Sequence, residues 1–347
     1  MRLISLVFVA VVFIGCKKKD DPENDIALKN GMLVLTEGLF QQNNSALGFV
    51  NFTNSSSITS FFQAKNNRPL GDTGNDLQRY GGKIYIVVNV SSTIEVISAK
   101  TGNSIKQIEM VSNGVAKQPR SIAFNNGKAY VTCYDGFVDV IDTNSLNIVQ
   151  RIQVGANPEG LVVSNNRLFV ANSGGLNFPN VDSTVSVIDL ATNTEIQKIV
   201  VGKNPGDIEV DAVGDVYAIS RGDYANIPSR MHRINPTTMV KEETYSFDAS
   251  EISVFNFNFL ISYSTSGTQG VALFNPGTEQ LINANYLDLS TVQTTYEVAY
   301  NEFNNKIYVA DAMDYTVTGF VHEFDASGVF IQKFGVGLNP SKMVFLK

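Results

Sequence analysis

The sequence has no tryptophan, only two cysteines and two histidines in 347 residues, and only 17% of its residues are charged. Two cysteines cannot form a disulfide framework. Two histidines, His232 and His322, leave little material for a histidine-rich metal site. Positive charge is also short: 26 Lys and Arg against 33 Asp and Glu give a net charge of −7, which argues against a nucleic-acid partner. No stretch rich in Ala, Glu, Lys and Leu is present, so long helices are not expected. The one long apolar run, Leu3 to Ile14, is broken only by Ser5 and is too short to span a bilayer comfortably. What is plentiful is asparagine: 35 residues, beside 27 glycines and 10 prolines. Asn and Gly accept positive φ at low cost, so this composition suits many tight turns. The chain reads as all-β.

The N-terminus reads as an export signal. Arg2 precedes the apolar run and small Gly15 follows it, the charge, core and cleavage pattern of a secretory signal. Phe13-Ile14-Gly15-Cys16 then resembles the lipobox of bacterial lipoproteins, with Phe where Leu is more usual. In that resemblance the Cys16 thiol accepts a diacylglycerol and becomes the lipidated N-terminus of the mature chain. Several acyl chains at one residue suffice for stable anchoring. The expected layout is therefore a signal peptide at 1–15, a lipidated Cys16 with a charged tether to 28, and a folded domain over 29–347. Localisation at the outer membrane, exposed at the cell surface, follows as an expectation.

An internal repeat organises the rest. A turn followed by a short apolar strand recurs as Gly82-Lys83-Ile84-Tyr85-Ile86, Gly127-Lys128-Ala129-Tyr130-Val131, Asn166-Arg167-Leu168-Phe169-Val170, Gly214-Asp215-Val216-Tyr217-Ala218 and Asn305-Lys306-Ile307-Tyr308-Val309. Weaker copies begin at Gly31 and Asn258. The fourth residues (Val34, Tyr85, Tyr130, Phe169, Tyr217, Ile261 and Tyr308) are spaced by 51, 45, 39, 48, 44 and 47 residues. Such spacing matches four-stranded propeller blades of roughly 40–50 residues. A strand precedes each anchor, as in Pro119-Arg120-Ser121-Ile122, and a third follows, as in Val138-Asp139-Val140-Ile141. The last segment, Pro340 to Phe345, is a first strand with no second, and Gly31 to Leu35 is a second strand with no first. Joined, they complete one blade and leave no open sheet edge. The sequence predicts a single seven-bladed β-propeller, although length alone would suggest two domains.

A closed ring has a mouth where the loops entering the first strands meet the second-to-third strand loops. One row of positions there holds Asp76, Ser121, Gly160, Asp207, Glu251, Glu297 and Lys342. The preceding row holds Asn75, Arg120, Glu159, Gly206, Ser250, Tyr296 and Ser341. The loops add Glu37, Asn89, Tyr134, Asn172, Arg221, Tyr263 and Asp311. The longer of these loops carry Phe40, Phe178, Tyr224 and Tyr315, and long turns with exposed aromatics are candidate binding loops. Asp207, Glu251 and Glu297 fall in successive blades and are weak candidates for a cation site; solvated carboxylates partnered by Arg120, Arg221 or Lys342 are the alternative. Catalytic constellations are thin. Both histidines fall in third strands, Cys133 is a lone thiol, and there is no phosphate loop, nucleophile elbow or paired-Cys spacing. No catalysis and no cofactor are expected.

The repeat Pro-x-x-(Ile/Leu), Gly-Lys-x-Tyr-Val, Val-x-Val-Ile-Asp, Ile-x-Val-Gly resembles the YncE-like branch of bacterial seven-bladed propellers over nearly the whole mature chain. Thr36-Glu37-Gly38, Leu70-Gly71-Asp72 and Pro119-Arg120 look like exported propeller lipoproteins of the DUF5074 type. That group includes surface proteins that capture cobalamin on the loop face and pass it to a TonB-dependent outer-membrane transporter. The resemblance implies a non-catalytic ligand-binding lipoprotein, with Glu37, Phe40, Asn89, Tyr134, Asn172, Phe178, Arg221 and Tyr224 near a corrinoid. It also implies an alternative, a metal-dependent hydrolase or lyase, because related propellers include such enzymes. A structural or adhesive surface protein is a third reading.

Overall fold

The computed structural model describes residues 28–265 and 267–347. The expected signal peptide, Cys16 and the tether up to residue 27 lie outside the described residues. Leu28, the last residue of the expected tether, is buried against the apolar cluster around Phe61 and Leu346.

The predicted repeat becomes seven four-stranded antiparallel sheets. Blades 1 to 6 open with the first strands Gly74–Tyr80, Pro119–Asn125, Pro158–Ser164, Pro205–Val210, Glu251–Phe255 and Thr295–Asn301. Blade 7 takes its first strand from the C-terminus, Pro340–Leu346, and its other strands, Gly31–Thr36, Ala46–Asn51 and Ser56–Ile58, from the N-terminus. The two termini pair antiparallel, with Leu33 opposite Val344 and Gly31 opposite Leu346. Each first strand packs beside the next, around to the contact of Pro340–Leu346 with Gly74–Tyr80, so the ring is closed.

The burial of each strand explains its sequence. Second strands such as Lys83–Val88 lie between two neighbouring blades and are almost continuously buried, hence the apolar runs. Fourth strands such as Thr194–Val200 lie on the circumference and alternate between exposed and covered positions. The anchor aromatics are wedges between blades. Tyr85 of blade 1 packs on Phe124 of blade 2 with ring centroids 4.9 Å apart, Tyr217 on Phe259 of blade 5 at 5.0 Å, and Tyr308 on Phe345 of blade 7 at 5.1 Å. Accordingly there is no single core. Seven apolar clusters form, each spanning one blade-to-blade interface.

The asparagines do the work their number suggested. Among the described residues, 13 of the 24 non-glycine residues with positive φ are Asn. Asn157, Asn204 and Asn339 occupy this conformation directly before the prolines that open three first strands. Small elements outside the repeat went unread in the sequence, among them the hairpin of Val111–Ser112 with Val115–Ala116. The six-residue helix Phe61–Asn66 buries Phe61 and Phe62 and ends at Asn67 with φ 54°. It accounts for the longest anchor step. Among the described residues no helix is long and apolar enough to cross a membrane.

Because every interface depends on both neighbours, removing one strand opens the whole ring. Deletion of 340–347 should abolish the cooperative thermal transition followed by circular dichroism; a retained sharp transition would show that six blades hold the seventh without closure.

Candidate functional site at the propeller mouth

A cavity of about 270 Å³ lies on the ring axis. All thirteen residues lining it come from the three rows of mouth positions identified in the sequence. Neighbouring it, a groove of about 840 Å³ runs over the loops of blades 4 to 6 and is lined by Tyr224, Ser229, Asp248, Ser250, Thr265 and Tyr315 among others. Arg221 and Tyr296 line both spaces and join them. Together they form the candidate site.

Ion pairing dominates the upper cavity. Arg120 Nε donates to Glu159 Oε2 at 2.9 Å, and the Tyr134 hydroxyl donates to Glu159 Oε1 at 2.6 Å. The Arg120 guanidinium also lies over the Tyr134 ring, 4.8 Å from its centroid. Arg221 approaches the same carboxylate more loosely, at 3.6 Å. Burial works against ionisation of Glu159, but Arg120 and Arg221 beside it outweigh burial and hold its carboxyl below the ordinary range. Removing a single partner of such a buried pair leaves an uncompensated charge, at a cost of about 3–5 kcal/mol. The position of Arg221 depends on Gly206: a Cβ there would stand 2.3 Å from the Arg221 Cζ. Glu159 and Gly206 are mouth positions in the sequence, one and two repeat steps from Arg120. The repeat itself was the signal that could have promoted them to site residues.

On the opposite wall the Tyr296 hydroxyl donates to Glu37 Oε2 at 2.7 Å, and burial raises the Glu37 carboxyl above its usual range. Tyr296 also meets Tyr315 edge-on, with ring centroids 6.0 Å apart. Tyr224 pairs with Phe178 at 6.4 Å across two blades, and the Asn204 side-chain amide donates to its hydroxyl at 3.1 Å. Phe178 and Tyr224 remain more than half exposed. Tyr224 and Tyr315 both hold positive φ, 58° and 67°, an uncommon conformation for a bulky side chain. Such strain persists only where surrounding structure enforces it. For Tyr224 that structure is the Asp223 carboxylate, which accepts three backbone N–H bonds from Ala225, Asn226 and Ile227. For Tyr315 it is a turn closed from Tyr315 N–H to the Ala312 carbonyl at 2.8 Å.

Lower in the channel, the cation is Lys342. Its Nζ lies 2.6 Å from Glu297 Oε2. Asp76, Asp207, Glu209 and Glu251 also act on it electrostatically or through its acidic partners. Asp207 is committed elsewhere as well, accepting the Ile252 N–H at 2.7 Å across the blade interface, as Asp76 accepts the Ile122 N–H at 2.9 Å. Burial raises Asp207, Glu251 and Glu297, and it pushes Glu209 to about 7. Among the described residues no three His, Cys, Asp or Glu side chains are grouped to hold a metal ion. Of Asp207, Glu251 and Glu297, all three carry raised carboxyls, and Glu297 is the one bonded to Lys342.

Several expected site residues do not reach either space. Asn89, Asn172 and Asp311 are buried beneath the mouth and serve backbone groups. Asn89 donates to the Pro119 carbonyl at 3.0 Å, and Asn172 accepts the Gly155 N–H at 3.1 Å. Asp311 accepts N–H bonds from Gln293, Thr294 and Met313 and lies 3.3 Å from His322 Nε2. Burial opposes its ionisation, yet those donors lower its carboxyl to about 2. Tyr263 stays within the extended second strand Asn258–Thr265, lies over Gly270 and donates to Asn285 Oδ1 at 2.6 Å, away from the mouth. Phe40 is exposed but lines neither space. One buried pair was not anticipated: Ser220 Oγ lies 2.8 Å from His232 Nε2. Its third partner is the Thr244 hydroxyl rather than a carboxylate, and both residues are covered by sheet. Burial lowers His232 to about 4.

The shift at Glu209 has a direct consequence. The folded protein holds that proton up to about pH 7, whereas the unfolded chain releases it near 4.5, so stability falls as pH rises between them. Glu209→Gln should melt above the wild type at pH 8 and not at pH 4, a gap of up to about 3 kcal/mol in chemical denaturation. The same difference at both pH values would contradict the assignment.

Comparison with known proteins agrees with this architecture. A quinonprotein alcohol dehydrogenase-like protein from Bacteroides thetaiotaomicron is similar at 14% identity and TM-score 0.69, covering 92% of this chain and 79% of that one. Kuenenia stuttgartiensis hydrazine synthase is similar at 16% identity and TM-score 0.63, covering 75% and 85%. At such identities the likeness is one of fold. No curated protein matches the chain. The sequence matches the domain of unknown function DUF5074 over residues 30–310, and the chain belongs to that family.

Proposed function

We propose that this protein is a non-catalytic surface lipoprotein that captures a small ligand, cobalamin or a related corrinoid, at the propeller mouth and hands it to a TonB-dependent outer-membrane transporter. The observation that carries this reading is the aromatic groove beside a polar axial cavity. Its volume of about 840 Å³ lies within the roughly 300–1,000 Å³ of small-molecule sites. Tyr224, Tyr315 and the exposed Phe178 offer flat apolar surface to the face of a macrocycle, and rigid aromatics do so at little entropic cost. Arg221, Tyr296 and Glu37 supply polar groups for its edge. Tyr296 stands on a first strand and the others on loops fixed by a closed ring, so little ordering remains to be done on binding.

The charged groups at the mouth are mostly engaged with each other. Glu159 is held by Arg120 and Tyr134, and Lys342 by Glu297. That favours a binding module over a hydrolase or lyase, which needs a free base beside its substrate. The lipobox ending at Cys16 and the charged run Lys17-Lys18-Lys19-Asp20-Asp21 support anchoring at the membrane.

Isothermal titration calorimetry with cyanocobalamin tests the ligand directly. Tight binding is expected, and an absence of heat would discard the corrinoid. Replacing both Phe178 and Tyr224 by alanine should then weaken binding by about five- to hundredfold, the loss of two aromatic contacts of roughly 0.5–1.5 kcal/mol each. An unchanged dissociation constant would move the ligand off this lip.

A further inference from the structure

Two charged groups differ from their neighbours: Arg221, where the axial cavity meets the groove, and Glu37, which lines the axial cavity beside Tyr296. The Arg221 guanidinium makes no side-chain hydrogen bond among the described residues, and its nearest counter-charge, Glu159 at 3.6 Å, is already held by Arg120 and Tyr134. Facing the same cavity, Glu37 accepts only the Tyr296 hydroxyl and forms no ion pair among the described residues. Arg221, with only the loose Glu159 contact, and Glu37, with one of its acceptor positions filled, thus line one cavity with hydrogen-bonding capacity to spare.

A charged ligand group meets opposition there. An anion drawn to Arg221 also meets Glu159, and a cation drawn to Glu37 also meets Arg120 and Lys342. A neutral planar group carrying a donor and an acceptor satisfies both walls and breaks no existing pair. A primary carboxamide is such a group: its oxygen accepts from a guanidinium and its N–H donates to a carboxylate. We infer that the junction of the two spaces is a carboxamide-recognising subsite, with Arg221 donating to amide oxygens and Glu37 accepting from amide nitrogens, and that it selects amides over the corresponding carboxylic acids. The identity of the ligand rests on the corrinoid reading, because a corrin ring carries primary carboxamides around its edge; the selectivity itself rests on the charge pattern. Tyr296 is a positioning residue here, fixing Glu37 through its hydroxyl.

The test is calorimetric titration of the wild-type chain with cyanocobalamin and with its monocarboxylic acids, in which one propionamide is hydrolysed. The acids should bind about tenfold or more weakly, the effect of setting a carboxylate against Glu37 and Glu159. In Glu37→Gln, whose side-chain amide donates as well as accepts, the preference should shrink to less than about threefold. Equal binding of amide and acid by the wild type would overturn the subsite. So would an undiminished preference in a Glu37→Gln protein that unfolds at the wild-type temperature. If neither corrinoid binds the wild type, the corrinoid reading falls and the subsite is read with simpler probes. Malonamide should then shift the Arg221 Nε–H resonance in nitrogen-15 NMR while malonate does not; a shift with malonate, or with neither, overturns it.

Discussion

Closure is the constraint on which this molecule depends. Each blade buries its apolar surface against the next, so no sheet is stable alone and the last interface must be made by two ends of the chain. The pairing of Gly31–Thr36 with Pro340–Leu346 makes it. That pairing also fixes the site. Glu37 follows the N-terminal strand of blade 7 and Lys342 lies in its C-terminal strand, so the terminal blade brings both a carboxylate and the channel's cation to the axis. A cavity lined by residues from the whole ring exists only when the ring is shut.

The fold was legible because a propeller repeats one solution. The turn-strand motif with Tyr85, Tyr130, Tyr217 and Tyr308 as its fourth residue recurs because each blade interface needs the same wedge. The lining of the cavity was legible for the same reason: position within the repeat dictates distance from the axis. Individual side chains were less legible. Asn89, Asn172 and Asp311 sit at loop starts, where a short polar side chain finds a backbone group nearer than any ligand. Tyr263 was misplaced because its strand runs to Thr265, two residues beyond the repeat's expected turn, and Gly270 opposite leaves room for the ring to lie down. Periodicity sets the face a residue stands on, not the partner it finds.

The rim shows how strain and rigidity go together. Tyr224 and Tyr315 hold a conformation that bulky residues avoid, and in each case a local turn imposes it. A relaxed loop would let these rings fold onto their own blades. Held as they are, they narrow the groove from two sides and leave Phe178 and Tyr224 facing solvent as a pair. The conformational cost is met within the fold, before any ligand arrives, which is the condition for tight binding by a surface of modest area.

Electrostatics then decides what such a mouth can hold. Acidic residues crowd the axis, and a cation site would be the obvious reading if the carboxylates were alone. They are not: Lys342 bonds to Glu297 and is felt by the other acids below, while Asp76 and Asp207 are spent on backbone N–H groups of the next blade. Above them, Glu159 absorbs most of the positive charge of Arg120. Charges of both signs therefore stand side by side at the mouth. Its unspent capacity is one donor set at Arg221 and one acceptor at Glu37, on opposite walls beneath an aromatic lip. A ring of carbon with neutral polar groups at its edge, the ligand proposed above, would draw on both.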